Sequence, residues 1–224
     1  MTKKKLLISA LTKFLAGLIL MGLVLFLPAG TWNYPNAWLF LGLLFIPMLM
    51  LGVILFVKAP ELLEKRLQSK EKESTQKGVV AVSGLMFLGS FVLAGLDFRF
   101  GWTNVPSWVV AVAAVVLLAS YGMYGEVMRE NAYLSRTVEV QENQKVIDTG
   151  LYSVIRHPMY TATIFLFLAM PVVLGSWLAF AVMLLYPVVI VARIGNEEKV
   201  LEEGLPGYAE YKKKVKYRLV PFVW

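Results

Sequence analysis

The stretch Met159–Ile194, MYTATIFLFLAMPVVLGSWLAFAVMLLYPVVIVARI, decides the fold. It is apolar almost throughout and longer than the ~20 helical residues that cross a hydrocarbon core of ~30 Å. Pro171 and Gly175-Ser176 interrupt it near the middle, and residues of these types end helices and make turns. The pattern predicts two membrane-spanning helices joined as a tight hairpin.

Working outward, four further segments are long and apolar enough to span: Leu6–Leu27, Ala37–Val57, Gly78–Leu96 and Pro106 to roughly Gly125. Composition agrees. Of 224 residues, 58% are hydrophobic and 17% charged, against about 45–50% and 25% in an ordinary soluble domain. The expectation is an integral, multi-pass membrane protein: an all-α transmembrane helical bundle of about six spans with helical extensions into the cytoplasm. Residues 1–125 carry the first four spans and 126–224 the hairpin and its extensions, in one integrated membrane domain.

The charges support that count independently. With six spans, 21 of the 22 basic residues fall on one side and only Arg99 on the other. Lys/Arg excess marks cytoplasmic loops, so both termini are expected in the cytoplasm, and the cell membrane is the expected location. The net charge of +7 follows from this asymmetry, because basic juxtamembrane segments adhere to anionic headgroups. Nucleic-acid binding is not indicated. The N-terminal apolar run is longer than a signal-peptide core and Pro28-Ala29-Gly30 is a poor cleavage site, so it reads as an uncleaved span.

Zero cysteines and a single histidine remove disulfides, thiolate catalysis and Cys-ligated metals, and no metal site is expected. No repeat is visible, and Glu61–Lys77 reads as a solvated charged helix or loop. Trp32, Tyr34, Trp38, Trp102 and Trp108 lie in or beside the short loops opposite the basic side, where such residues form an interfacial belt. Asp97 and Arg99 are placed to pair there.

Polar residues on the basic side gather in two segments flanking the final hairpin. In the first, Glu126–Arg136 is expected to extend the fourth span as helix, with Glu126, Glu130 and Tyr133 on one face. Thr137–Ile147 alternates Val138, Val140 and Val146 with polar residues as in a short extended excursion, and Asp148-Thr149-Gly150 reads as a turn. The lone histidine follows in Arg156-His157-Pro158, a helix start whose free amides favour an anion or an electron-rich ligand group. His157 can equally be structural, capping its own helix.

The second segment, Arg193-Ile-Gly-Asn-Glu197-Glu198, continues the last span. Helical spacing puts Tyr186, Ile190, Arg193 and Glu197 on one face. An i,i+4 ion pair and a charged-ligand site at the membrane boundary both fit. Beyond Gly207, Tyr208, Tyr211 and Val215 recur at helical spacing against Lys212, Lys213, Lys214 and Lys216, as in an interfacial amphipathic helix. The apolar tail Leu219–Trp224 is suited to fold back on the protein or dip into the headgroups.

These residues carry a resemblance. Gly150-x-Tyr152-x-x-x-Arg156-His157-Pro158-x-Tyr160, then a hairpin, then Arg193-x-x-x-Glu197-Glu198-x-x-Leu201, then Gly207-Tyr208-x-x-Tyr211-x-x-x-Val215 before Pro221 resembles the C-terminal signature of the isoprenylcysteine carboxyl methyltransferase family. Ala162 stands where that family often has Gly. Phospholipid N-methyltransferases are a related branch, and NADPH-dependent membrane sterol reductases are more distant relatives.

The resemblance implies S-adenosylmethionine (SAM) bound at the cytoplasmic end of the last helices and a lipophilic acceptor entering from the bilayer. It implies a donor site of Gly150, Leu151, Tyr152, Arg156, His157, Pro158 and Tyr160 with Glu197 and Glu198, and a catalytic pair of Arg193 and Glu197. Arg193 would orient an acceptor carboxylate and a Glu would hold the donor's hydroxyls or ammonium. The absence of a GxGxxG motif and of a strand-alternating domain argues against a Rossmann-type donor site. The expected function is SAM-dependent methylation of a lipophilic carboxylate. Phospholipid or amine N-methylation, NADPH-dependent lipid reduction, and a non-enzymatic or small-transporter role are the alternatives; nearly charge-free spans disfavour transport.

Overall fold

The computed structural model describes residues 2–67, 74–134 and 140–224. Lys70, Lys72 and Arg136, used above to orient the chain, lie outside them, as does the start of the Thr137–Ile147 excursion. Among the described residues the chain is helical: α1 (Lys3–Ala29), α2 (Pro35–Lys58), α3 (Pro60–Leu67), α4 (Ser74–Phe100), α5 (Ser107–Glu130), a 3-10 turn (Gly150–Ser153), α6 (Pro158–Val173), α7 (Trp177–Met183), α8 (Tyr186–Gly204) and α9 (Tyr208–Lys214).

Five stretches are long and apolar enough to cross a membrane: α1, α2, Val80–Phe100 of α4, α5, and the α7–α8 run Trp177–Gly204. The first limb of the hairpin, α6, has only 16 residues, about 24 Å of helix at 1.5 Å per residue. It is also the most enclosed. Leu166, Ala169, Met170, Val172 and Val173 join Leu25, Phe40, Phe91 and Leu117 from α1, α2, α4 and α5 in the main apolar core. Its position explains its length, because a central helix whose start is covered by other segments need not reach the surface.

Close packing inside lipid depends on small residues that let backbones approach. At Gly95 of α4, a Cβ would lie 2.7 Å from the Leu25 carbonyl oxygen of α1. Only glycine permits that approach.

The hairpin turns at Gly175 (φ 82), as expected, whereas Pro171 stays inside the last turn of α6 without ending it. Ser176 caps α7 by accepting from the Ala179 amide at 3.1 Å. The second limb is broken between Met183 and Tyr186. Pro187 sits in the first turn of α8, where a missing N–H costs nothing, so the break falls just before it.

Several sequence expectations are corrected. α5 stops at Glu130 because Asn131 leaves the helical region and its Oδ1 accepts from the Tyr133 amide at 3.0 Å, a turn typical of Asn. Tyr133 is therefore not on the face of Glu126 and Glu130. Over the described part of the excursion, the chain turns at Glu142-Asn143, with Asn143 at φ 56. Trp32, Trp38, Trp102 and Trp108 are exposed as a belt requires, but Tyr34 is buried, its hydroxyl donating to the Leu174 carbonyl at 2.6 Å. Asp97, also buried, accepts from the Thr103 amide at 2.7 Å and from the Ser176 hydroxyl. It ties α4 to the hairpin turn instead of pairing with Arg99.

The helix α9 also differs from an interfacial helix. Tyr208, Tyr211 and Val215 are buried with Leu205, beside Val140, Val146 and Leu201. Its apolar face packs on the protein; Lys213 and Lys214 are exposed, while Lys212 is partly buried and pairs with Glu202. The tail folds back: Leu219 is buried with Met86, Ile190 and Ile194.

Candidate active site

The site begins at a glycine in the left-handed region, where a side chain would be strained and would displace the Glu130 carboxylate. Gly150 has φ 49, and a Cβ there would fall 1.6 Å from Oε1 of Glu130. The Leu151 amide donates to Glu130 Oε2 at 3.1 Å, so the last residue of α5 anchors the 3-10 turn. That turn delivers Tyr152, whose hydroxyl accepts from Asn131 Nδ2 at 2.9 Å and whose carbonyl accepts from the Tyr211 hydroxyl at 2.7 Å.

After the turn, the chain is held by residues 215–219. The Arg156 amide donates to the Tyr217 carbonyl and the His157 amide to the Arg218 carbonyl, both at 2.9 Å. Pro158 then opens α6, with His157 at the N-cap but making no side-chain cap bond. The histidine does not cap its own helix.

Instead, His157 faces α8. Its Nε2 lies 3.1 Å from Glu198 Oε1, and Arg156 Nε donates to the same oxygen at 2.8 Å. Arg218 reaches the other oxygen through Nε at 3.1 Å and Nη2 at 3.0 Å. Arg156 Nη1 also donates to the Val215 and Lys216 carbonyls at 2.7 and 2.9 Å. Glu198 is 3% exposed, and a carboxylate so enclosed is tolerated only with several donors around it. One acidic side chain thus binds α6, α8 and the tail together.

One turn earlier on α8, the expected face is present with a partner from α6 inserted. Arg193 Nε donates to the Tyr160 hydroxyl at 2.8 Å, and that hydroxyl donates to Glu197. Tyr160 is 4% exposed. The arrangement fixes a cation and a carboxylate on either side of one phenol.

A cavity of about 110 Å³ opens here at the basic end. Tyr152, Arg156, His157, Tyr160, Arg193 and Glu197 all line it. Of the other residues put forward from the sequence, Gly150, Leu151, Pro158 and Glu198 do not line it. The wall also holds polar residues not given a site role from the sequence, among them Asn131, Lys145 and Tyr208. Tyr208 is 4% exposed and its hydroxyl has no hydrogen-bond partner among the described residues. Its spacing with Tyr211 was visible, but only its apolar meaning was read.

Outside the spans, burial dominates the tyrosine chemistry. It pushes Tyr152 up to about 12, against the hydrogen bond from Asn131 that lowers it, and it raises Tyr208 and Tyr211 further. These phenols stay protonated at neutral pH, and that of Tyr211 donates to the Tyr152 carbonyl.

Residues 107–206 match the phospholipid methyltransferase family. That stretch is similar to membrane methyltransferases. It runs from the start of α5 to just past α8, and so contains the anchored 3-10 turn, the Arg156-His157-Pro158 start of α6, and Arg193, Glu197 and Glu198. The similarity supports a membrane methyltransferase, a family related to the isoprenylcysteine carboxyl methyltransferases that the motif order resembles. No curated protein matches the chain.

Proposed function

We propose that this protein is a SAM-dependent methyltransferase that acts on a lipophilic acceptor drawn from the bilayer, with its basic end and both termini in the cytoplasm. The single observation that carries the reading is the Arg193–Tyr160–Glu197 arrangement at a cavity inside the stretch similar to phospholipid methyltransferases.

The residues present fit the donor. Tyr152, Tyr208 and Tyr211 offer aromatic surface for a purine; Glu197 offers acceptors for ribose hydroxyls or an ammonium group; Arg156 and Lys145 offer cations for a carboxylate. The unpartnered Tyr208 hydroxyl is the more specific sign, since a buried polar group without a partner is costly and a bound ligand would satisfy it. The cavity is smaller than the roughly 300 Å³ at the lower end of ligand pockets. Donor binding then requires the wall to move, and Gln144–Ile147, which carries no regular structure, is the part best able to yield.

When bound, SAM supplies an activated methyl group on a sulfonium. The work left to the protein is alignment and exclusion of water, which can supply a large part of a rate acceleration. Arg193, positioned by the Tyr160 hydroxyl, would hold an acceptor carboxylate through a charge-assisted contact. A carboxylate arrives ionised and needs no base.

The match to phospholipid methyltransferases favours a second reading, methylation of an amine headgroup. Glu197 would then take the ammonium proton, as an acid–base group must lie within hydrogen-bond reach of the proton it moves. Methyl transfer from labelled SAM into lipid extracts, comparing isoprenoid acids with aminophospholipids, tests both. Incorporation into neither, together with no SAM binding to the purified protein, would overturn the proposal.

A further inference from the structure

Residues 215–224 form a strap whose depth can be read from what it touches. Thr161 Oγ1, one turn inside α6, donates to the Leu219 carbonyl at 2.8 Å. Leu219 is buried with Met86 of α4 and with Ile190 and Ile194 of α8, and Trp224 packs against the same cluster. Met86 lies six residues inside the apolar stretch Val80–Phe100, about 9 Å along the helix. The strap therefore sits level with the apolar ends of the spans, not above them.

The strap then bends back sharply. The amides of Arg218, Leu219 and Val220 donate to the Trp224 carbonyl at 2.9, 3.0 and 3.3 Å. Phe222 is held at φ 65, an uncommon conformation for a bulky residue. The bend turns Phe222 and Val223 outward, 88% and 78% exposed, with Val220 exposed beside them. Phe222 keeps one ring contact, Tyr217 at 5.2 Å between centroids.

Basic residues lead into this apolar tip along the chain. Lys213 and Lys216 are exposed and make no ion pair among the described residues. The Arg218 guanidinium lies 4.8 Å from the centre of the Trp224 ring. Apolar side chains projecting at the level of the span ends, and exposed lysines in the segment that leads to them, complement acyl chains and anionic headgroups respectively.

We propose that Val220, Phe222 and Val223 insert into the bilayer as a hook, while Lys213 and Lys216 engage anionic lipid headgroups. The same strap supplies the carbonyls that hold Arg156 and His157 and the guanidinium on Glu198. The lipid surface thereby helps to hold the site's framework, whatever chemistry the site performs.

The chain has no cysteine, so a Phe222→Cys variant carries one polarity-sensitive label, with Glu203→Cys, exposed at the end of α8, as the aqueous reference. Both are reconstituted in phosphatidylcholine vesicles with and without phosphatidylglycerol. Quenching by aqueous iodide and by nitroxide-bearing lipids is then measured. The expected result is several-fold weaker iodide quenching at 222 than at 203, with strong lipid-nitroxide quenching at 222. Phosphatidylglycerol should strengthen both effects, and Lys213→Ala/Lys216→Ala should abolish that increment. Equal iodide quenching at the two positions would place the tip in water and overturn the proposal. Iodide protection without nitroxide quenching would assign the tip to a protein contact and overturn it as well. Insertion indifferent to phosphatidylglycerol would overturn the headgroup contacts.

Discussion

Arg156 and Glu198 stand 42 residues apart in the chain and meet with Nε 2.8 Å from Oε1, both almost wholly buried. That contact closes the framework of the site, because Arg156 belongs to the segment entering α6, Glu198 to α8, and the carbonyls on the other side of Arg156 to residues 215 and 216. Glu198 has both oxygens occupied by its own chain, Oε1 by Arg156 and His157 and Oε2 by Arg218.

Replacing Glu198 by Gln keeps the shape and removes the charge that offsets Arg156 and Arg218. Breaking a buried ion pair by removing one partner typically costs ~3–5 kcal/mol. The expected outcome is a lowered unfolding midpoint in detergent, followed by tryptophan fluorescence, together with weakened SAM binding. An unchanged midpoint with lost SAM binding would give Glu198 a direct ligand role instead.

Tyr160→Phe separates framework from chemistry. The ring remains packed, but the hydroxyl between Arg193 and Glu197 disappears. Methyl transfer should fall about 10- to 100-fold, corresponding to ~1.4–2.7 kcal/mol, with SAM affinity changed far less. Arg193→Lys, which keeps charge but loses the planar fork, should show the same split. Turnover at the wild-type level in Tyr160→Phe would remove the phenol from the mechanism.

The same residues show what a sequence can and cannot reveal. The spans and the Gly175 turn were legible because lipid imposes a length and a composition that the residues obey. The face shared by Tyr186, Arg193 and Glu197 was legible because helical periodicity is local. The hydroxyl of Tyr160 between Arg193 and Glu197 was not, since it comes from another helix at a register that only packing sets. Arg218 reads in the sequence only as one of the 21 basic residues on the same side; its bond to Glu198 depends on a strap whose path has no periodic signal. Asp97 illustrates the opposite error. Its neighbour Arg99 suggested a surface pair, yet Thr103 and Ser176 satisfy it inside the protein.

Alkaline pH provides a test of the buried tyrosines. Tyr152 is raised by burial from 10.0 to about 12, so between those values the unfolded chain has released a proton that the folded chain retains. With fewer protons bound in the unfolded state, stability falls as pH rises. The contribution is fully present below pH 10 and disappears as the pH passes through about 12. Tyr208 and Tyr211 shift in the same direction. Unfolding midpoints should therefore drop above pH 10, with tyrosinate absorbance rising at the unfolding transition, and the drop should be shallower in Tyr152→Phe. A pH-independent midpoint across that range would show that these phenols are not held protonated by the fold.

The Tyr208 hydroxyl provides the sharpest separation between the free and the donor-bound protein. Among the described residues it is buried without a partner, so removing it costs no hydrogen bond and relieves an unsatisfied polar group, a burden of about 1–3 kcal/mol when fully uncompensated. Tyr208→Phe should accordingly leave the unfolding midpoint of the free protein unchanged or raise it. Tyr208 lines the cavity shared with Arg156 and Glu197, and with the donor bound its hydroxyl would gain a partner. A net hydrogen bond of ~0.5–1.5 kcal/mol corresponds to about a two- to tenfold weaker Kd when it is lost. Calorimetric titration of wild type and Tyr208→Phe with SAM, alongside midpoints measured with and without SAM, provides both numbers. A variant that binds SAM as tightly as wild type would show that the hydroxyl serves no donor group and would leave Tyr208 only its aromatic surface.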